Sequence, residues 1–186
     1  MSVGLRITLD EYMEMIADGA FEALRDRRIE LIHGELRQMN PPGPDHAEAV
    51  SRLNYWSNEG PIRKLVKIRI QDPIGIPELD SAPQPDVVWV KVREYKDRHP
   101  LPAEVVLLIE VADSSLDSDC GEKAELYAAA GIQDYWVVSL PERLIHVFRR
   151  PQNGVFADHS TAGFGDELHP LAHPQFALSV TELLGT

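Results

Sequence analysis

The chain has 186 residues with 44% hydrophobic side chains, which is typical of one folded domain, and we expect a single domain over residues 1–186. No apolar run approaches the roughly 20 residues of a membrane helix, and no apolar segment follows Arg6 as in a secretory signal. Cys120 is the sole cysteine, which excludes an internal disulfide. We therefore expect a cytoplasmic protein with no membrane partner. The formal net charge of −12 argues against DNA binding through the surface at large, so a nucleic-acid ligand would need a local basic surface or a bound metal.

The first part of the chain predicts a helix followed by a β-hairpin. Thr8 and Glu11 have the spacing of a capping box, and the apolar residues that follow predict a helix over residues 8–18. Residues 28–39 alternate between apolar and polar side chains around His33-Gly34, a pattern that predicts two strands joined by a turn.

The next segments predict a helix and three strands. Asp45 and Glu48 have the spacing of a second helix start, and that helix is predicted to run to about residue 58. In residues 64–76 charged and apolar side chains alternate, which predicts a strand with one solvent-exposed face. Residues 86–92 and 105–111 predict two more strands, and the second is uniformly apolar, so we expect it to be central in the sheet.

The C-terminal half predicts one more helix and a hairpin. Asp119 and Glu122 have the spacing of a helix start, and that helix is predicted to stop at Gly131. Residues 135–140 and 144–148 predict the hairpin, after which the chain is rich in Gly, Pro and His. The whole pattern predicts an α/β domain whose central strands are followed by a crossover helix.

Two carboxylates stand at the ends of neighbouring predicted strands. Asp86 begins one strand and Glu110 ends the other. If the two strands form an antiparallel pair with a loop centred near Arg98, Asp86 lies opposite Glu110, and their side chains point to the same face about 5 Å apart. Two acids at that spacing repel each other unless a cation lies between them or one takes a proton. The long loop leaves this register open.

Such a pair of acids is suited to hold Mg²⁺ over a phosphodiester. Asp86 and Glu110 would supply two oxygen ligands, and the backbone carbonyl of Val111 could supply a third. Lys123, in the first turn of the next predicted helix, could position a water molecule or offset the charge of a transition state, and Tyr127 lies one turn further along the same face. Taken singly, these residues are also typical of a turn, a strand end and an exposed helix start.

Basic side chains are concentrated in three places. We interpret them as solvent-exposed strand and turn faces, with the alternative that one of them forms a local surface that binds a ligand. They are Arg25-Asp26-Arg27-Arg28, the run from Arg63-Lys64 through Lys67 to Arg69, and Arg143 to Arg149-Arg150.

Several segments, spread over residues 8–184, resemble in the same order the Uma-type "putative restriction endonuclease" family, a large bacterial family within the PD-(D/E)XK nuclease superfamily. They are Glu30–Leu36, Gln71–Ile74, Pro83–Val88, Ile109–Ser115, Glu122-Lys123 with Tyr127, and Gly131-Ile132 with Tyr135-Trp136.

The resemblance implies a restriction-endonuclease-like fold, with a mixed central sheet flanked by helices, and a DNA endonuclease that depends on Mg²⁺ or Mn²⁺ and forms a homodimer or higher homo-oligomer. Asp86 matches the motif aspartate and Glu110 the second acid. The chain departs from the motif at Ala112, where a lysine is expected, and Lys123 resembles a lysine that has moved to the following helix.

Two further candidates follow from the resemblance. Many superfamily members bring an additional acid from an earlier element, for which Glu30 and Glu35 both qualify, and we prefer Glu35. His46, near a helix start, could join the site or be merely solvated. Besides the endonuclease, a catalytically silent or regulatory binding protein on the same scaffold remains open, because the chain is acidic and Ala112 replaces the motif lysine.

Overall fold

The computed structural model describes residues 4–24, 27–60 and 62–185, so Arg25 and Asp26 of the first basic cluster lie outside the described residues. Its helices and strands, in chain order, are α1 (Leu9–Ala17), β1 (Ile29–Ile32), β2 (Glu35–Gln38), α2 (Pro44–Asn58), β3 (Val66–Ile70), β4 (Val87–Lys91), β5 (Val105–Ala112), α3 (Leu116–Cys120), α4 (Glu122–Ala129), β6 (Asp134–Ser139), β7 (Leu144–Gln152), β8 (Val155–Ala162), β9 (Glu167–Leu168), β10 (Leu178–Ser179) and α5 (Val180–Leu184).

A mixed sheet lies at the centre, and within the described ranges it has six strands in the order β3-β4-β5-β6-β7-β8. β5 and β6 are parallel, and α3 and α4 form the crossover between them, whereas the other neighbouring strands are antiparallel. The short pairs β1-β2 and β9-β10 lie outside this sheet. The predicted α/β class, with a mixed central sheet flanked by helices, is confirmed.

Each face of the sheet is covered by a separate hydrophobic cluster. On one face α2 and α5 pack over Trp89 and Trp136, and the ring of Trp56 stacks on both, with centroids 4.8 and 6.0 Å away. On the other face α4 packs over strand residues that include Leu108 and Tyr135. Burial on both faces explains why β5 is almost uniformly apolar.

The antiparallel register of β4 and β5 agrees with the one inferred from a loop centred near Arg98. Val87 lies opposite Ile109, which places Asp86 and Glu110 next to each other at the end of this pair. A bulge interrupts the register only towards the loop, between Trp89 and Val90.

Two predicted helix starts and one predicted strand are corrected. α2 begins at Pro44 after Gly43, because a proline with its fixed φ fits the first helical position, and Asp45 lies inside the first turn. The strand predicted over 64–76 ends at Ile70, because Gln71 adopts a left-handed φ of 55° and the chain leaves the sheet there.

The helix predicted to start at Asp119 is two helices, α3 and α4, separated at Gly121. This glycine has φ −105° and ψ −102°, and a Cβ there would lie 2.6 Å from the carbonyl oxygen of Asp117. The break therefore requires glycine, and it leaves Asp119 at the end of α3 and Lys123 at the start of α4.

Strand β8 was not predicted from the sequence. Its start is marked by Asn153-Gly154, which have φ values of 51° and 81° and form the tight turn between β7 and β8. An Asn-Gly pair before a strand is a known hairpin signal and could have identified it. Among the described residues, no helix is long and apolar enough to cross a lipid bilayer.

Candidate active site

Asp86 and Glu110 converge at the end of the β4-β5 pair, on the face covered by α4. The backbone N–H of Asp86 donates to Glu110 Oε2 at 3.2 Å, and the N–H of Val111 donates to Asp86 Oδ2 at 2.9 Å. The two residues are only 3% and 2% exposed. The backbone of each strand end thus holds the carboxylate of the other.

Asp86 is surrounded by donors. Gln71 Nε2 donates to Oδ1 at 3.0 Å, His46 Nε2 lies 3.2 Å from Oδ2, and Arg28 Nη1 lies 3.9 Å from Oδ1. Burial alone raises the pKa of Asp86, but the hydrogen bond and charge of His46 and the N–H of Val111 outweigh it, so the pKa is lowered. Asp86 is therefore ionised at neutral pH.

His46 faces this carboxylate from the start of α2. Its hydrogen bond to Asp86 raises the pKa of His46, against the opposing effect of burial. Nδ1 of the ring is buried, and it has no hydrogen-bond partner among the described residues. The structure therefore places this candidate at the acid pair rather than in solvent.

Lys123 lies on the other side of Glu110. Its Nζ is 3.1 Å from Glu110 Oε1, 3.6 Å from Glu30 Oε2 and 3.8 Å from Asp119 Oδ1, and its side chain is 8% exposed. Tyr127, one turn along α4, donates its hydroxyl to the same Glu110 oxygen at 2.8 Å. The break at Gly121 allows acids from β1, β5 and α3 to meet one ammonium group.

This cluster holds more acids than cations. Burial raises the pKa of Glu110 to about 8, although Lys123 opposes the shift. Burial also raises the pKa of Asp119, again against Lys123 and the hydroxyl of Ser115. Burial lowers the pKa of Lys123, but the charges of the three acids outweigh it, so the ammonium stays protonated. Burial therefore disfavours the ionised form of Glu110, which a nearby cation would favour.

A cavity of about 220 Å³ opens onto this cluster. The buried residues Asp86, Glu110, Val111 and Lys123 line it. The other lining residues include Arg28, Met39, Pro42, His46, Asp113 and Ser115. A ligand in the cavity would contact the acids directly.

The structure brings Glu30 rather than Glu35 to the cluster, which corrects the preference for Glu35. In the β1-β2 hairpin Glu30 lies opposite Arg37, and its side chain is 7% exposed beside Lys123. Glu35 is 54% exposed and pairs with Arg37 at 3.2 Å. The reason is that β1 faces the core, whereas β2 faces solvent.

Sequence reasoning did not assign Asp119, Gln71 or Arg28 to the site. Gln71 lies in a segment that carried the family resemblance, so its position could have been noticed. Asp119 is four residues before Lys123, which is the spacing of neighbours on a helix, but it was interpreted as a helix cap.

The donor set fits a hard divalent cation. Among the described residues, no group of three or more His, Cys, Asp or Glu side chains is arranged so that it could hold a metal ion by itself. The chemistry nevertheless suits Mg²⁺ or Mn²⁺, because these ions prefer carboxylate and carbonyl oxygens and Lys123 is a single ammonium beside three buried acids. Asp86 and Glu110, with the carbonyl of Val111, are the residues that would hold the ion.

Fold and cluster together define an α/β protein with a buried acid-lysine centre at a sheet end. A family model described as "Uma2: Putative restriction endonuclease" matches residues 9–181, so the chain belongs to this family, as its sequence segments indicated. A comparison with curated proteins gave no match.

A solved structure supports the fold. It is that of a protein from Anabaena variabilis ATCC 29413 described as "a putative nuclease belonging to DUF820", with a TM-score of 0.72 to this chain. The two sequences are 18% identical over 96% of this chain and 97% of the other. At this identity the likeness establishes the fold alone.

Replacing Lys123 by methionine tests the charge balance of the cluster. The Lys123→Met variant keeps much of the side-chain volume but removes the ammonium from between three buried acids. We expect its free energy of unfolding to fall by about 3–5 kcal/mol, the usual cost of breaking a buried ion pair. Urea unfolding measures the change. Lys96→Met is the control, because Lys96 is 83% exposed; equal stability of the two variants would contradict the prediction.

Proposed function

We propose that the protein is a DNA endonuclease of the PD-(D/E)XK type that hydrolyses phosphodiesters with Mg²⁺, or with Mn²⁺ in its place. The observation that carries the proposal is the buried convergence of Asp86, Glu110 and Lys123 on one wall of a cavity. Membership of a family described as "Putative restriction endonuclease" supports DNA as the substrate. The oxygen-rich donor set supports the metal.

Each residue of the site has a definite task in this proposal. Asp86 and Glu110 would hold the ion, which when bound would stabilise charge on the phosphate and acidify a water molecule. Lys123 stays protonated and lines the cavity, where it would offset charge that develops on the phosphate. Tyr127 and Gln71 hold the carboxylates of Glu110 and Asp86 through their hydrogen bonds.

We further propose a homodimer. A duplex has two strands, and a pair of copies related by a two-fold axis presents one site to each of them.

Plasmid nicking tests the proposed activity. Purified protein is incubated with supercoiled plasmid and MgCl₂, and conversion to the nicked form is followed on a gel. We expect Asp86→Asn to slow nicking by about 100-fold or more, because it removes a charged ligand while keeping the shape of the side chain. Asp158→Asn is the matched control, since Asp158 is 48% exposed on β8, the edge strand opposite β3.

Two outcomes would overturn the nuclease proposal. The first is a wild type that cuts no nucleic acid with Mg²⁺ or Mn²⁺. The second is equal cutting by wild type and Asp86→Asn, which would reveal a contaminating nuclease.

The hairpin acids offer a second, internally controlled test. Glu30→Gln and Glu35→Gln make the same chemical change on two strands of one hairpin, but only Glu30 approaches Lys123. We expect Glu30→Gln to reduce nicking by about 10–100-fold, as is usual for groups that orient an active residue, and Glu35→Gln to leave it close to wild type. Urea unfolding of both variants shows whether the fold is intact. A larger loss in Glu35→Gln would contradict the arrangement.

A binding protein on the same scaffold is the second candidate. It is favoured by one observation, namely that both oxygens of Glu110 already accept hydrogen bonds from the protein, from Asp86 on one side and Lys123 and Tyr127 on the other. The replacement of the motif lysine by Ala112 and the net charge of −12 agree with it.

Calorimetry with Mn²⁺ separates the two candidates. The nuclease proposal predicts saturable heat with the wild type and its loss in Asp86→Asn, because the ion needs this carboxylate. The Asp158→Asn control should titrate like the wild type. Absence of saturable heat in the wild type would favour the binding protein.

A further inference from the structure

Basic side chains are concentrated along one edge of an otherwise acidic protein. Residues 62–72 and 91–104 contain eight of the 18 Lys and Arg but only four of the 30 Asp and Glu. We call these two segments the basic edge. They are neighbours in space, because β3 and β4 pair with Val66 opposite Lys91. These two segments therefore carry a net positive charge, whereas the whole chain has a net negative charge.

The basic edge leads directly into the acid cluster. β3 is an edge strand, and its end lies beside Asp86, because the N–H of Gln71 donates to the carbonyl oxygen of Asp86 at 3.1 Å. Gln71 also contacts the Asp86 carboxylate. Side chains alternate along β3, so Lys67, opposite Val90, and Arg69, opposite Val88, share one face of the sheet about 7 Å apart, and Arg69 is two residues before Gln71.

An aromatic ring organises the cations of this edge. Lys67 Nζ lies 5.6 Å from the centroid of the Tyr95 ring, the guanidinium carbon of Arg69 lies 6.0 Å from it and that of Arg93 5.1 Å. These distances are within the range of cation–π contacts, which bring like charges together on one platform.

The protein engages these cations to different extents. Lys67 is exposed and makes no ion pair with any residue of the described ranges. Arg69 is 15% exposed and pairs with Asp72 through Nη2 at 3.1 Å, and Arg93 is engaged by Glu104 at 2.9 Å. Lys67 is therefore the residue that a ligand would recruit first, and Arg69 adds positive charge beside it.

We propose that the basic edge binds the phosphate backbone of duplex DNA and directs it to the cavity at Asp86. The inference rests on the proposed function, and it names the surface that allows a protein of net charge −12 to hold a polyanion. A line of positively charged side chains is sufficient to contact backbone phosphates, which are the same for every base. We therefore expect this binding to be independent of base sequence. Lys67 and Arg69 supply the charge, and Tyr95 keeps them together.

Binding is measured by fluorescence anisotropy of a labelled duplex in EDTA, at a series of salt concentrations, so that cleavage does not intervene. Lys67→Gln is compared with Arg150→Gln, which removes the same charge from an exposed position on β7, beside the opposite edge strand. We expect Lys67→Gln to weaken binding and to reduce the slope of log K against log salt by about one, and Arg150→Gln to change neither.

Arg69→Gln provides a second variant, and urea unfolding shows whether it is folded. The double variant Lys67→Gln/Arg69→Gln should reduce the slope of log K against log salt by about two. Equal weakening by Arg150→Gln, or a wild type without salt-dependent binding, overturns the proposal. Because the assay contains no divalent metal, its result is separate from the nicking assay. Loss of binding in Lys67→Gln combined with a wild type that never nicks plasmid would support the surface and overturn the endonuclease.

Discussion

The ion cluster around Lys123 is the interaction on which the rest of the site depends. One ammonium lies within 4 Å of carboxylate oxygens from Glu30, Glu110 and Asp119, and all of them are removed from water. Removing charges from water is costly, so the cluster is stable only if each member is held in place by its own element. β1, β5, α3 and α4 therefore have to meet at one point, and the cavity follows from that meeting.

Asp86 stands apart from this cluster in its electrostatics. Burial opposes ionisation of Asp86, but His46, Val111 and Gln71 outweigh it and lower the pKa, whereas burial raises the pKa of Glu110 to about 8. The two neighbouring carboxyl groups therefore differ in how strongly their surroundings favour the ionised form. This difference reduces the repulsion that two adjacent carboxylates would otherwise suffer.

The sequence was sufficient to predict the parts of the fold that follow from local patterns. The capping box of α1 and the turn at His33-Gly34 are confirmed, because both depend on neighbouring residues. The register of β4 and β5 also agrees with a loop centred near Arg98, although the length of that loop left the register open. The choice between Glu30 and Glu35 could not be made in this way. It depends on which strand of the hairpin packs against the core, and alternation within the hairpin does not reveal that.

Two other features needed tertiary information. Asp119 has the pattern of a helix cap, and only the backbone break at Gly121 turns it towards Lys123. β8 is mostly exposed, so its side chains show little alternation, and its pairing with β7 comes from the Asn153-Gly154 turn and not from burial. Patterns of hydrophobicity identify what is buried, and both features depend on geometry that burial does not encode.

The parallel pairing of β5 and β6 has a consequence for biosynthesis. Glu110 lies opposite Val137 in this pair, so the strand that carries the acid is enclosed only after β6 has been added. A ribosome that has released the chain as far as Lys123 has made every acid of the cluster before the strand that pairs with β5. The nascent chain thus completes this part of the sheet only after the acids and Lys123 have been made, through a parallel pairing of strands that are distant in sequence.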